Sequence, residues 1–398
     1  MGTEIRMLER VDYDVHQALM SMAFGRGKLR AALPDEAPTP MHLLSTIGLF
    51  EDGKLQASVS VEPFRVHFGH GTEFDYGAIG GVACANDRRG RGYVQQLMSK
   101  SLERMRSQTQ PISGLYPFSY AFYRKFGWDN VGQRQTVTLP VRELKRNNPA
   151  GWSVDSIDLE ANLDLIKAFY DTCARPYRSS FVAASHKWHD DYKPRDGRCT
   201  FVYTARDPHG AVGGVMRFQY PAEGSDDIAN ADIWATAPSA WLSLLDVLRD
   251  IGVQHKLVRF SVPSDVPVLS FHCSNDTKIS VGPMYQGRIV SIDQWASGLL
   301  LPQNEAGFRV VLDIKDLYAP WNHGTWELTR ESHGLTAIRT TKAPDVTMDI
   351  THFSQLAFGE PSVTALQRAG VLAHLADETL RALHAIFPAH PTYLWDGF

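Results

Sequence analysis

No stretch of about eighteen consecutive apolar residues occurs in this chain, so no helical membrane span is expected. Its fifteen histidines contain no His-Glu-x-x-His, and His186-x-x-His189 falls in a charged stretch that reads as surface; no metal centre is expected. Only four cysteines are present (Cys84, Cys173, Cys199, Cys273), and none are spaced as Cys-x-x-Cys, which reads as reduced thiols in a cytoplasmic protein. The Gly-x-Gly-x-x-Gly dinucleotide fingerprint is missing, because Gln95 stands where its third glycine would fall, and no Gly-Lys-Ser/Thr occurs. Excess positive charge is missing too. The net charge of −4 argues against nucleic acid or anionic membrane as bulk partners. The opening MGTEIRMLERVDYDV has acidic residues and no long apolar run, so no secretory leader is expected.

What the chain does have is concentrated in Gly80 to Gly92, GGVACANDRRGRG, followed by YVQQLMSKSLERM. An apolar strand (Ile79, Val82, Cys84) runs into a loop of arginine and glycine. The loop opens a helix whose Val94, Leu97, Met98, Leu102 and Met105 keep helical spacing. A helix N-terminus exposes unpaired N–H groups and the positive end of the dipole. Gly90 and Gly92 let the backbone approach a ligand, and Arg88, Arg89 and Arg91 add charge, so the segment reads as a diphosphate cradle. Cys84 alternates with Val82, as a strand residue does, and is not taken as a nucleophile.

Arg89-x-x-Gly92 after a strand resembles motif A of the GCN5-related N-acetyltransferases (GNAT), although Val94 stands where that family has a small residue. About thirty residues on, Phe122-Tyr123-Arg124-Lys125-Phe126-Gly127-Trp128 resembles the signature that ends many of these domains. The resemblance implies acetyl-coenzyme A as cosubstrate, with no metal. Its diphosphate would lie on Arg89, Gly90, Arg91 and Gly92, and its pantetheine arm along Val82, Ala83 and Cys84. Tyr123 would protonate the departing thiolate.

Three blocks follow from the pattern of elements. Residues 1–146 read as an α/β domain containing both motifs, with a hairpin turning at Asp52-Gly53 and a last strand near Gln135 to Leu139. The charged stretch 142–151 reads as a solvated linker. Residues 152–283 repeat the broad order without the cradle, as a degenerate copy. Residues 285–398 place strands before helices, beginning with a strand at Arg288 to Val290, as in an α+β domain. Trp321-Asn322-His323-Gly324 reads as a turn without a role.

This layout resembles the enhanced intracellular survival (Eis) acetyltransferases. The resemblance implies two GNAT domains in tandem and a sterol-carrier-like C-terminal domain, assembled as a hexamer that acetylates amines, including aminoglycosides. It further implies that the tail returns to the active site, where the terminal carboxylate, here that of Phe398, is the general base. The tail has Tyr393, Leu394, Trp395 and Phe398 among its last six residues. Leaving them in water would be costly, so docking is expected. A free α-carboxylate has a pKa of about 3.5, and desolvation raises it toward a useful range. Asp396 is a rival carboxylate that the residues alone do not exclude. The expected function is acetyl transfer to a primary amine of a polyamine or aminoglycoside. The alternatives are protein lysine acetylation and a non-enzymatic protein that binds an apolar ligand in its sterol-carrier-like domain.

Overall fold

The computed structural model describes residues 2–25, 33–34, 36–183, 200–220, 228–251, 256–271, 274–303 and 306–395. They form two compact units, one joining the N-terminal segment through Gly132 to Tyr285–His390, the other joining Gln133–Met284 to the segment that starts at Pro391.

The first unit begins with β1 (Thr3–Met7), α1 (Tyr13–Ala23) and the single turn α2 (Met41–Leu44). Next come β2 (Thr46–Glu51), β3 (Lys54–Phe68) and β4 (Glu73–Cys84), an antiparallel meander. Asp52 and Gly53 join β2 to β3 with φ of 49° and 76°, the paired left-handed residues that a two-residue hairpin needs. Then α3 (Tyr93–Ser107) crosses over to β5 (Ile112–Leu115), which runs parallel to β4. The short α4 (Tyr120–Arg124) and β6 (Asp129–Asn130) follow. The apolar stripe Leu97, Met98, Leu102 and Met105 of α3 is fully buried against Ile47, Leu49, Val59, Val61 and Ile79 of the sheet. On the other face, Leu19 of α1 packs against Ala83 and Ala85.

The second unit opens with β7 (Gln133–Pro140), the strand that the sequence reading places at the end of the first block. It lies instead between β13 (Leu257–Pro263) and β14 (Lys278–Pro283), antiparallel to both. Val137 and Leu139 alternate toward α6 (Pro238–Ile251), and that helix's core cannot be closed without them. The remaining strands are β8 (Ser153–Ile157), β9 (Arg178–Phe181), β10 (Thr200–Arg206), β11 (Val212–Gln219) and β12 (Ile228–Ala235), and the single turn α7 (Val268–Phe271) follows β13. The sheet order is β14-β7-β13-β12-β11-β10-β8. Trp241, Leu244, Leu245 and Leu248 of α6 cover one face. Ile166, Phe169, Tyr170 and Cys173 of α5 (Leu163–Ala174) cover the other. The expected solvated linker is not free: the Asn147 and Asn148 N–H groups each donate to Asp246 at 2.8 Å, and Leu144 is buried. Its arginines and lysine face water while its amides bind the Asp246 carboxylate on the side of α6.

The chain then re-enters the first unit through β15 (Gln286–Ile289). The sequence reading gives this strand to the third block. It lies instead between β5 and β6, pairing Gln286 with Leu115 and Ile289 with Ile112, so the order is β1-β2-β3-β4-β5-β15-β6. A buried β5 edge would otherwise leave its backbone groups unpaired. After α8 (Ile292–Gly298) come β16 (Arg309–Lys315), β17 (Gly324–Arg330), β18 (Leu335–Arg339) and β19 (Val346–Asp349), a second sheet in the order β18-β17-β16-β19. The helices α9 (Ile350–Phe358), α10 (Val363–Arg368) and α11 (Asp377–Ile386) follow. Strands before helices is the expected α+β order.

Candidate active site

Two features of β4 prepare a cleft. Ser58 pairs with Ala83 but Ser60 pairs with Gly80, so β4 carries an extra residue across Gly81 and Val82 and bends there. On its other edge, pairing with β5 stops at Ile79 and Leu115, whereas β4 continues to Cys84. The two parallel strands therefore separate, and the β4 backbone from Gly80 to Cys84 faces the gap. Val82 and Cys84 pack half-buried against the α3 core, and Ala83 faces α1. Burial raises the Cys84 thiol's pKa, the opposite of what a nucleophile needs.

Beyond Cys84, the turn Asn86–Arg88 leads into Arg89 to Gly92. Gly90 and Gly92 hold φ of 80° and 79°, a conformation that side chains resist. Gly92 is the N-cap of α3 without a side-chain capping bond, and among the described residues the N–H groups from Arg89 to Gln95 make no hydrogen bond. A run of free amides at the positive end of a fifteen-residue helix suits a diphosphate. Val94, irregular for motif A, is half-buried against the α3 core and does not face the loop amides as a clash.

The three arginines of this loop do different things. Arg88 donates from Nε to Glu51 at 2.8 Å and pairs with Asp87 at 2.5 Å. Arg91 lies 3.7 Å from Glu51 and is half-exposed. Tyr93 also donates to Glu51, at 2.5 Å; that bond, followed by the one from Arg88, lowers the Glu51 carboxyl's pKa and keeps it ionised. Glu51 thus ties the loop to β2, a role that no local pattern in the sequence signals. Arg89 is exposed and has no ion pair among the described residues, which leaves its guanidinium available to an anion. Arg89→Ala is therefore expected to raise the KM for acetyl-coenzyme A about tenfold, the worth of one charge-assisted hydrogen bond. Steady-state kinetics at fixed amine checks it, and an unchanged KM would move the diphosphate elsewhere.

Tyr123 is buried at the end of α4, its ring edge-on to Phe118 and Phe122 with centroids 5.4 and 5.1 Å away. It belongs to the same apolar cluster as Val82, Cys84, Val94 and Leu115, residues at and beyond the point where the pairing of β4 and β5 stops. Burial raises its phenol's pKa well above the usual value, so it holds its proton throughout the physiological range.

The residues that hold this helix end carry no local signal in the sequence. Arg288 of β15 and Asp316 are both fully buried and paired at 2.6 Å. Arg288 also donates to the carbonyl of Phe126 and lies 5.1 Å from the Trp128 ring centroid. A Cβ on Gly127 would stand 1.7 Å from its guanidinium, so only glycine fits. Asp316 further accepts from the Ala319 N–H at 3.0 Å and from Asn322 Nδ2 at 3.1 Å. Asn322 Nδ2 and Trp321 Nε1 both donate to Val290, at 3.0 and 2.8 Å. The Trp321-to-Gly324 turn, given no role above, is thus the joint between the sheet of the motifs and the C-terminal α+β domain.

The tail docks within the second unit. Arg178 N–H donates to Pro391 at 3.1 Å, Tyr393 N–H to Arg178 at 3.0 Å, and Ser180 Oγ to the Tyr393 carbonyl at 2.6 Å. Trp395 rests against Tyr177 and Trp234. Asp396 and Phe398 lie outside the described residues, as do His186, His189, Cys199 and Cys273. Among the described residues no group of three His, Cys, Asp or Glu could hold a metal ion, and no helix is long and apolar enough to cross a membrane.

Comparison with known proteins bears on the fold and its domains. An acetyltransferase (GNAT) domain matches residues 4–131. A sterol carrier protein domain matches residues 296–395. The chain is 24% identical over 415 residues to an uncharacterized N-acetyltransferase of Streptomyces avermitilis, with all of both chains covered. Its fold is similar to that of a GCN5-related N-acetyltransferase from Anabaena variabilis, with a TM-score of 0.84 at 18% identity. It is also similar to that of Eis1 from Mycobacterium abscessus, with a TM-score of 0.81 at 19% identity; both matches cover all of each chain. An acetyltransferase fold implies the use of acetyl-coenzyme A, and the non-enzymatic reading gives way to the enzymatic one. The chain thus carries an acetyltransferase (GNAT) domain over residues 4–131 and a sterol carrier protein domain over residues 296–395, in a fold similar to that of Eis1, and it is an acetyltransferase.

Proposed function

We propose that this enzyme moves the acetyl group of acetyl-coenzyme A directly to a primary amine of a small polyamine or aminoglycoside. The observation that supports the reading is that three parts border one apolar cluster: the separated β4 and β5 edges, the amides with Arg89 at the α3 N-terminus, and the buried Tyr123. Arg89, Gly90, Arg91 and Gly92 would hold the diphosphate, and Val82, Ala83 and Cys84 would hold the pantetheine arm through their backbone. The terminal carboxylate of Phe398 takes a proton from the substrate ammonium. The freed nitrogen bonds to the acetyl carbon as the carbon–sulfur bond breaks, Tyr123 gives its proton to the sulfur, and the acetylated nitrogen sheds its second proton to restore the Tyr123 phenol, leaving a neutral amide and a free thiol. Holding donor and amine side by side supplies much of the rate gain. Hexameric assembly and a cytoplasmic setting belong to the same proposal.

Thiol release during incubation with acetyl-coenzyme A and a panel of polyamines, aminoglycosides and lysine peptides tests the proposal. Amine-dependent release is expected, with small polyamines and aminoglycosides ahead of peptides. No release together with no coenzyme A binding would sink it. Appending one glycine after Phe398 moves the terminal carboxylate by a residue, and kcat is expected to fall at least about a hundredfold if that group is the base. Full activity in the extended chain would assign the base elsewhere, with Asp396→Asn the next variant to assay.

A further inference from the structure

The second unit repeats the separated strand pair. There β12 and β13 run parallel and pair from Ile228 with Leu257 to Ala231 with Phe260. Beyond that pairing β12 continues to Ala235 and β13 to Pro263. A cavity of about 460 Å³ opens there, bounded by the start of α6 and by Trp395 of the tail. Within its own sheet it occupies the place that the acetyl-donor cleft occupies in the first, outside the carboxyl ends of a parallel strand pair.

Its chemistry is the reverse of the cradle's. The residues entering α6 are Thr236 and Ala237, with neither arginine nor glycine. The helix starts at Pro238, which has no N–H, and the Thr236 N–H is taken by the Gly213 carbonyl at 3.0 Å. Among the described residues no lysine or arginine lines the cavity. Its walls are the aromatic rings of Tyr177, Trp241 and Trp395, with one carboxylate, Asp265. Tyr177 donates to Asp265 at 3.2 Å and holds that carboxylate at the cavity wall, where it has no ion pair among the described residues. Aromatic faces attract a cation through their quadrupole, a carboxylate fixes its position, and the absence of basic groups turns away a diphosphate.

We propose that this cavity binds an organic cation, a protonated primary amine carrying an aromatic or branched apolar body. The assignment uses only residues of the second unit and does not depend on the acetyl-transfer chemistry. Calorimetric titration of the full chain, without acetyl-coenzyme A, tests it with 2-phenylethylammonium, neutral 2-phenylethanol and anionic 3-phenylpropanoate. The ammonium is expected to bind at least tenfold more tightly than either of the others. Asp265→Asn, at an exposed position, should remove that preference, and Thr172→Lys, which puts a cation on the cavity rim, should reverse it toward the anion. Equal affinity for ammonium and alcohol, unchanged affinity in both variants, or no binding of any probe would overturn the proposal. Turnover is not read in this titration, so a failure here and a failure of the thiol-release assay are separate results.

Discussion

Arg288→Ala is expected to cost about 3–5 kcal/mol of unfolding free energy, because it leaves the Asp316 carboxylate buried without its cation. Both groups are fully buried, so neither can turn to water for compensation. Asp316 would keep its bonds from Ala319 N–H and Asn322 Nδ2, which stabilise the anion without neutralising it. The Phe126 carbonyl loses its donor as well, at the end of the segment that carries Tyr123. Urea unfolding of the variant, compared with the parent at equal slope, measures the loss. The double variant Arg288→Met with Asp316→Asn is expected to recover much of the stability, since removing a buried pair together costs far less than breaking it. A loss below about 1 kcal/mol, the range of an exposed pair, would show that water reaches the pair.

Tyr123→Phe is expected to lower kcat by about a hundredfold or more while the KM for acetyl-coenzyme A stays within about twofold, the pattern of a general acid acting at the chemical step. The ring still fills its place beside Phe118 and Phe122, so the fold should be retained. The pH dependence has a definite sign. Burial raises the folded phenol's pKa, so the acid stays protonated through neutral and moderately alkaline pH. No alkaline fall of kcat below about pH 10 should trace to it. By the same linkage, folding binds the phenol's proton more tightly than the unfolded chain does. Any stability this confers is whole below the unfolded pKa of about 10 and fades as pH rises past it. A kcat in Tyr123→Phe within threefold of the parent would remove Tyr123 from the mechanism.

The parts of the fold legible in the sequence are those with local causes. The Asp52-Gly53 pair marked its hairpin because few other residues take two successive positive φ values. The cradle and Tyr123 were legible for a related reason, since each is a short segment whose residue types serve one purpose. Arg288 shows the limit. In the sequence it is a charged residue in a short apolar strand, and nothing nearby says that its partner lies at Asp316 or that it reaches the Phe126 carbonyl. The destinations of β7 and β15 were unreadable in the same way, because their apolar alternation suits either sheet.

The sequence by itself determined the elements and the chemistry they carry: an arginine and glycine loop on a helix N-terminus, a tyrosine in an aromatic helix, and a tail too apolar to leave in water. Local sterics, helix periodicity and burial of apolar surface act over a few residues, so they can be read in order along the chain. Tertiary structure alone decided which sheet receives β7 and β15, which of three arginines is left for an anion, and that the Trp321-to-Gly324 turn is a joint. These outcomes depend on which distant edge lacks a partner and which distant carboxylate reaches a guanidinium first. Glu51 takes Arg88, and Arg89 has no ion pair among the described residues; that choice is made across 37 positions of chain.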